Sequence, residues 1–306
     1  MTGTEKPEYL NMLRISVASA RLQMPSVDIE IVTDVDTGEY ILSNHIFDKD
    51  VVTINSKKTP DGFTTVEKSR FLKTNLRQLV EGDFLYIDSD TIVCADFSEI
   101  KPEASVSLVL DEHVPLYMQE NSGSRILSGA EKVGISLEGC TRYYNGGVFL
   151  VKDDETAREF FQRWHKTWIK THKPGMHQDQ FSLNSVNMEM DCINELDGTW
   201  NCQLTANDRA FSFFRKVKIL HYLSIQENGI YRLNDIGLMR KDLTDDEINE
   251  IITHPEKQFK PFHFYADDSV EYQVMQGSQF HLAHRLFTRH KALYNRIDKV
   301  LSKFRK

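Results

Sequence analysis

Phe84-Leu85-Tyr86-Ile87 is an apolar run that stops at two carboxylates, Asp88 and Asp90, before apolar residues resume at Ile92-Val93. A buried strand that ends in Asp-x-Asp suits a hard divalent cation. The strand fixes position, and the loop at its end lets both carboxylates turn toward one ligand. Oxygen donors of this kind fit magnesium or manganese, which in enzymes usually also hold substrate phosphates. The same pair also occurs as a solvated turn that caps a helix. The length of the apolar run and the lack of Gly or Pro at the turn weigh against that plainer reading.

The surrounding pattern supplies elements to position such a site. Leu10 to Ala20 reads as a helix, Ile29 to Asp34 as a strand, Val51 to Ile54 as a second strand, and Val66 to Leu79 as a helix. After the Asp-x-Asp strand come a strand from Ser105 to Leu110 and one within Tyr143 to Val151 that follows Asn145-Gly146-Gly147. Helices are expected from Thr156 to Thr171 and over Phe181 to Asn187, then a late strand from Val217 to Tyr222. Strands alternating with helices predict an α/β fold with a mixed, mainly parallel sheet flanked by helices. Ligands gather at the carboxyl ends of strands in such sheets. Asp34, Asp88, Asp90, Asp111 and His221 all fall there. Trp164 and Trp168 lie on the inward side of their helix and read as core. Such a sheet normally begins with a strand, yet the sequence opens in Thr2-Gly3-Thr4. Either a first strand is missing from the chain or the sheet lacks it. If it is missing, Thr2 and Gly3 sit where it would have delivered a ligand loop.

The 306 residues are of ordinary globular composition, with 40% apolar and 27% charged residues. A net charge of −8 argues against general nucleic-acid affinity. No apolar stretch reaches the length of about 18 residues that spans a bilayer. The first eight residues are polar and lack a signal-peptide pattern, and Cys94, Cys140, Cys192 and Cys202 show no metal-binding spacing. A cytoplasmic protein with reduced thiols is expected. From His281 to Lys306 there are eight Lys or Arg against one Asp, a net of +7 that leaves −15 for the rest. Leu282, Leu286, Leu293, Ile297, Val300, Leu301 and Phe304 recur there at helical spacing. A basic amphipathic helix of this kind can lie on an anionic bilayer, placing the protein peripherally on the inner face of a membrane. It can equally pack its apolar stripe on its own domain, and the sequence leaves both open.

Five segments in order carry a family resemblance. They are Ser69-Arg70-Phe71-Leu72, Asp88-Ser89-Asp90, Tyr144-Asn145-Gly146-Gly147-Val148-Phe149-Leu150, Asp179-Gln180-Phe181-Ser182-Leu183-Asn184 and Ile219-Leu220-His221-Tyr222. Together they resemble the family 8 glycosyltransferases, retaining enzymes of the GT-A fold with nucleotide-sugar donors, over roughly residues 9 to 222. The resemblance implies a catalytic domain over 1–222 and a mainly helical extension over 223–306. It implies that Asp88, Asp90 and His221 hold manganese or magnesium against the diphosphate of a donor such as a UDP-hexose. Ser89 belongs to the same loop, on the substrate side. Arg70, with Lys68 nearby, would contact the donor. Asn145, Gly146 and Gly147 would approach the sugar closely, Asp179 would clamp sugar hydroxyls, and Gln180 would face the anomeric carbon. The acceptor would be a carbohydrate or a lipid-linked molecule. Leu196-Asp197-Gly198-Thr199-Trp200-Asn201 resembles an acceptor-side element of the family.

The chain departs from the family after His221. Leu223-Ser224-Ile225-Gln226-Glu227-Asn228-Gly229 lacks the usual Lys and Pro, so the phosphate contacts on that side are not inherited. Two other readings compete. In a haloacid-dehalogenase-like phosphatase Asp88 would be a nucleophile, with Asp267-Asp268 as the later acidic pair. In a sugar-nucleotide-binding protein without turnover, the same residues would bind and not transfer.

Overall fold

The computed structural model describes residues 7–48, 50–119, 122–173, 175–204, 210, 213–222, 241–255, 279, 282–283, 286–287 and 290–304. Helix α1 (Pro7–Gln23) buries Met12, Leu13, Ile15, Val17 and Ala20. Strand β1 (Glu30–Asp34), helix α2 (Val35–Ser43) and strand β2 (Thr53–Lys57) follow, and the two strands pair in parallel. Helix α3 (Thr65–Thr74) starts from a capping box. Thr64 Oγ1 accepts the Glu67 N–H, and the Glu67 carboxylate accepts the Thr64 N–H at 2.8 Å, which satisfies two donors that a helix start leaves open.

The single helix expected over Val66 to Leu79 is broken. Asn75 leaves helical geometry, and α4 (Leu76–Leu79) is a separate turn. Buried Arg77 explains the chain reversal that follows. Its guanidinium donates to the carbonyls of Gly82, at 2.6 Å, and Val80, and its Cζ lies 4.9 Å from the centre of the Phe84 ring. Gly82, at φ +69°, takes the left-handed turn that hands the chain to the Asp-x-Asp strand.

That strand is β3 (Phe84–Ile87), followed by β4 (Thr91–Val93), β5 (Val106–Leu110), helix α5 (Ser122–Lys132), β6 (Tyr144–Val151), helices α6 (Glu155–Thr171) and α7 (Gln180–Met190), then β7 (Ile193–Leu196), β8 (Cys202–Gln203) and β9 (Ile219–His221). One sheet has the order β3-β6-β5-β7 and another the order β4-β9-β8. The strand pairing is mixed, as expected, but not mainly parallel. Parallel pairs (β1 with β2, β5 with β7, β8 with β9) are balanced by antiparallel ones (β3 and β5 with β6, β4 with β9). Val148, Phe149 and Val151 of β6 are buried with Phe160, Phe161, Trp164 and Trp168 of α6, so both tryptophans are core residues.

Asn145-Gly146-Gly147 does not precede β6 but lies inside it, at a register shift against β5. The pairing jumps from Leu108↔Phe149 to Val109↔Asn145, a bulge of the kind that re-aims side chains beside functional sites.

Helix α8 (Asp245–Thr253) packs on α1. Arg14 reaches the Leu243 carbonyl at 2.7 Å and the Asp245 carboxylate at 2.8 Å, and Leu243, Ile248, Ile251 and Ile252 join Met12, Ile15, Ile92 and Leu220 in one core. Helix α9 (Lys291–Leu301) buries none of its residues, and Leu293, Ile297, Val300 and Leu301 are exposed. No described helix is long and apolar enough to cross a membrane.

Candidate active site

Strand pairing converges Asp88, Asp90 and His221. The Asp88 N–H donates to the Gly147 carbonyl at 2.7 Å, and Thr91 Oγ1 donates to the Asp88 carbonyl at 2.7 Å. On the far side of the loop, Tyr222 N–H donates to the Asp90 carbonyl at 3.0 Å, and Thr91 pairs with His221 across β4 and β9. The loop is therefore pinned at both ends, with Ser89 half-buried at its centre. One ligand atom from each of Asp88, Asp90 and His221 lies within 4.8 Å of the others. Two carboxylate oxygens and an imidazole nitrogen at that spacing fit one divalent ion, and the imidazole favours manganese over magnesium.

The His221 ring is oriented by a chain of amides. The Gly147 N–H donates to the Asn145 side-chain oxygen at 2.8 Å, and since a backbone N–H can only donate, that atom is the oxygen. The same oxygen accepts from Asn201 Nδ2 at 3.0 Å, which leaves Asn201 Oδ1 to accept from His221 Nδ1 at 2.9 Å. The ring proton is thus held on Nδ1, and Nε2 faces Asp90 Oδ1 at 3.4 Å. This is the tautomer a metal-ligating histidine needs. Burial pushes the His221 pKa down, but the neighbouring Asp90 and Asp88 carboxylates outweigh it and leave it raised. A proton on Nε2 and a cation therefore compete for one place. Gly147 is needed for a steric reason, since a Cβ there would lie 2.2 Å from His221 Cε1.

The cation at the centre of the site is Lys73, which the sequence motifs did not single out. It is buried, and its Nζ lies 3.1 and 3.0 Å from the two Asp88 oxygens and 3.6 Å from Asp179 Oδ2. The Tyr86 hydroxyl also donates to Asp88 Oδ1. Burial, with Asp88 beside it, pushes the Tyr86 phenol well above its ordinary value, so it remains a donor. Arg70 lies behind, its Nε 3.1 Å from Asp179 Oδ1 in an ion pair without hydrogen-bond alignment. Arg70 pairs with Asp179 and not with Glu67 or Asp83, the partners a purely structural arginine would have nearby in the sequence. Burial pushes the Asp179 carboxyl up, but Lys73 and Arg70 more than offset this and hold it below its ordinary value. Asp179 Oδ2 is buried and, with Lys73 Nζ at 3.6 Å, accepts no hydrogen bond from the described residues. That orphaned acceptor, on a carboxylate kept ionised, matches a seat for a hydroxyl group. Lys68 turns elsewhere and pairs with Asp34 at 3.1 Å and Asp36 at 3.5 Å.

A third carboxylate completes the cleft. Asp111, at the end of β5, accepts from Asn145 Nδ2 at 2.9 Å, and Gln180 Nε2 lies 3.5 Å from the same oxygen. Burial raises its pKa to about 6 despite these amides. Gln180 is the first residue of α7, and Gly146 lies against it, so a Cβ on Gly146 would meet Asp179 Oδ2 and Gln180 Cγ at 3.8 Å. Asp88, Asp90, His221, Arg70, Asn145, Gly146, Gly147, Asp179 and Gln180 thus belong to one connected cluster. Thr2, Gly3, the stretch from Leu223 to Gly229 and Asp267-Asp268 lie outside the described residues.

No protein-family model and no curated protein matches the chain. Solved structures do, at low identity. The galactosyltransferase LgtC, solved in complex with donor and acceptor sugar analogs, has a TM-score of 0.50 and 13% identity over 77% of this chain and 93% of its own. An active-site mutant of LgtC, a glutamine changed to glutamate, scores 0.50 with 13% identity over 78% of this chain and 95% of that one. The glycosyltransferase GlyE of Streptococcus pneumoniae TIGR4 scores 0.50 with 18% identity, over 81% of this chain and 62% of GlyE. The fold is that of the GT-A glycosyltransferases, a mixed α/β architecture with a C-terminal helix. Asp88, Asp90 and His221 are the described residues in it that could hold a divalent ion.

Proposed function

We propose that the chain is a metal-dependent, retaining glycosyltransferase of family 8 type that moves a hexose from a UDP-sugar to a carbohydrate or lipid-linked acceptor. One observation carries this reading: Asp88, Asp90 and His221 converge within 4.8 Å, beside a buried, unsatisfied Asp179 oxygen, in a GT-A fold. That LgtC was solved with donor and acceptor sugar analogs supports sugar chemistry. Uridine as the base and retention of configuration come from the family resemblance.

Asp88, Asp90 and His221 Nε2 would hold the ion. When bound, manganese or magnesium would supply Lewis-acid neutralisation of the charge that develops on a departing nucleoside diphosphate. Asp179, kept ionised by Lys73 and Arg70, takes a hydrogen bond from a sugar hydroxyl and orients the ring. Gly146, without a side chain, lets the sugar approach Gln180. The Gln180 amide presents its oxygen to a positively charged anomeric centre while its nitrogen is turned toward Asp111 at 3.5 Å. Asp111, ionising near neutrality, is on our reading the carboxylate that faces the attacking acceptor hydroxyl. The residues to 222 form the catalytic unit, and the later helices extend it.

The test is nucleotide-sugar binding and turnover with and without Mn²⁺. Wild-type chain should show a metal-dependent thermal shift with UDP-hexoses and slow release of UDP. Asp88→Ala or Asp90→Ala should remove both without unfolding the chain. Unchanged turnover in either variant defeats the assignment. A phosphorylated Asp88 with simple phosphate esters would replace it with the phosphatase reading.

A further inference from the structure

In the short turn Asp111–His113 that directly follows β5 the backbone does something costly for ordinary side chains. Glu112 and His113 are both left-handed, at φ 53° and 60°. Two successive non-glycine residues in that region persist only where their surroundings hold them, and such places cluster at functional sites. Here the holder is Gln203, fully buried. Its Oε1 accepts the Glu112 N–H at 2.9 Å, and its Nε2 donates to the Leu110 carbonyl at 3.0 Å. Its backbone N–H donates to His113 Nε2 at 3.2 Å. One amide side chain therefore grips the peptide groups on both sides of Asp111. Gln119 adds a third grip, its Nε2 donating to the Asp111 carbonyl at 2.8 Å.

Gln203 also stands in register with His221 in the β8–β9 pair. Its backbone is thus fixed to the strand that delivers the imidazole, while its side chain is fixed to the turn that delivers Asp111. The two ends of the cleft are set against each other through one residue.

We propose that Gln203 is a positioning residue for transfer, holding the Asp111 carboxylate at its place between Asn145 and Gln180. This rests on the reading of the site given above. Alternation along a strand would send an unconstrained chain onward from Leu110 in extended form, and the carboxylate would leave its two amides. The bracket prevents that. Gln203 touches no reacting atom and acts only through Asp111.

Two substitutions test it. Gln203→Glu keeps shape and the acceptor for Glu112 but cannot donate to Leu110 when ionised. Gln203→Met keeps volume and loses both contacts. Each is compared with Asp111→Asn and with the Asp111→Asn/Gln203→Met double variant. The readouts are the Mn²⁺-dependent thermal shift with UDP-glucose and UDP-galactose, and kcat and KM for UDP release with water in the acceptor's place. The expected result is a donor shift and a donor KM within about two-fold of wild type, with kcat reduced about ten-fold or more in Gln203→Met and less in Gln203→Glu. The double variant should be no slower than Asp111→Asn alone, since both changes act on one group. Unchanged kcat in a folded Gln203→Met, or losses that multiply in the double variant, overturn the proposal. If Gln203→Met does not fold, Gln203→Glu decides, and wild-type kcat in that variant overturns it. A wild-type chain that neither binds nor turns over the UDP-sugars removes the glycosyltransferase reading itself. An active wild type with indifferent Gln203 variants removes this inference alone.

Discussion

Nδ1 of His221 lies 2.9 Å from the side-chain oxygen of Asn201, and the backbone N–H of Gly147 determines which atom of that amide is the oxygen. The tautomer of a candidate metal ligand is therefore dictated by main-chain hydrogen bonding two side chains away. Such outer partners typically govern metal affinity by one or two orders of magnitude.

Asn201→Ala should accordingly weaken Mn²⁺ binding about 10- to 100-fold. Asn201→Asp, which keeps an acceptor for Nδ1, should retain more of it. Isothermal titration of metal-free protein measures both. Affinity should also fall on acidification, with a midpoint above the usual histidine value, because the raised His221 pKa puts a proton where the ion must bind. Equal affinities in Asn201→Ala and wild type, or no pH dependence, would remove the imidazole from the ligand set.

Lys73 neutralises Asp88 and Asp179 together when no ion is bound. Replacing it leaves the half-buried Asp88 without its cation and buried Asp179 with Arg70 alone, a loss of about 3 kcal/mol. Lys73→Met should therefore be markedly destabilised in chelator. It should recover with Mn²⁺ far more than wild type does, since a ligand at about a hundred times its Kd returns about 2.7 kcal/mol. Melting temperatures with and without metal give the answer. Equal metal responses in the two proteins would show that Lys73 and the ion do not serve the same carboxylates.

Asp111 makes a prediction about pH. Burial raises its pKa from 3.8 to about 6. The folded state then binds more protons than the unfolded state between about pH 4 and 6, so stability falls as pH rises through that window. Asp111→Asn removes the penalty. Above pH 6 the variant should be more stable than wild type by up to about 3 kcal/mol, with the gain vanishing toward pH 4. Turnover should drop sharply at the same time. Denaturant unfolding at pH 4, 5, 6 and 7 tests this. A variant less stable than wild type at pH 7 would mean that Asp111 is a structural carboxylate.

The C-terminal helix gives a prediction of another kind. Leu293, Ile297, Val300 and Leu301 are exposed on one side of α9, within a segment that carries a net of +7. One of the two readings the sequence leaves open is that this stripe meets an anionic bilayer. On that reading the 306-residue chain should co-sediment with vesicles containing phosphatidylserine and not with phosphatidylcholine alone, and about 0.5 M salt should weaken the association. Deleting residues 281–306 should abolish it. Equal binding after deletion removes the anchor, and a deletion that precipitates favours packing of the tail on its own domain.

The three candidate ligands were legible in the sequence because each ends an apolar strand. Asp88 and Asp90 follow Phe84 to Ile87, and His221 follows Ile219-Leu220. The helices that carry Arg70, Asp179 and Gln180 were legible from their apolar spacing. Lys73 was not, because its importance depends on the phase of α3 relative to β3, and nothing in Phe71-Leu72-Lys73 announces which way the lysine turns. Gln203 was hidden for a related reason, and so was the part Asn201 plays beside His221, since the sequence placed Asn201 only in an acceptor-side element. Their roles follow from the pairing of β8 beside β9, a non-local register with no local signature. The glycines of Asn145-Gly146-Gly147 suggested a turn before a strand. They lie within the strand because a bulge accommodates them and because the imidazole fills the space beside Gly147.

That last feature has a bearing on how such a centre can change. The volume next to position 147 already belongs to the imidazole, so even a methyl group there must evict the ring. Protein engineers who want a different ion, or none, can alter the carboxylates or the histidine, but they cannot adjust the ring's seat by degrees. A Gly147→Ala exchange therefore switches the centre off instead of tuning it.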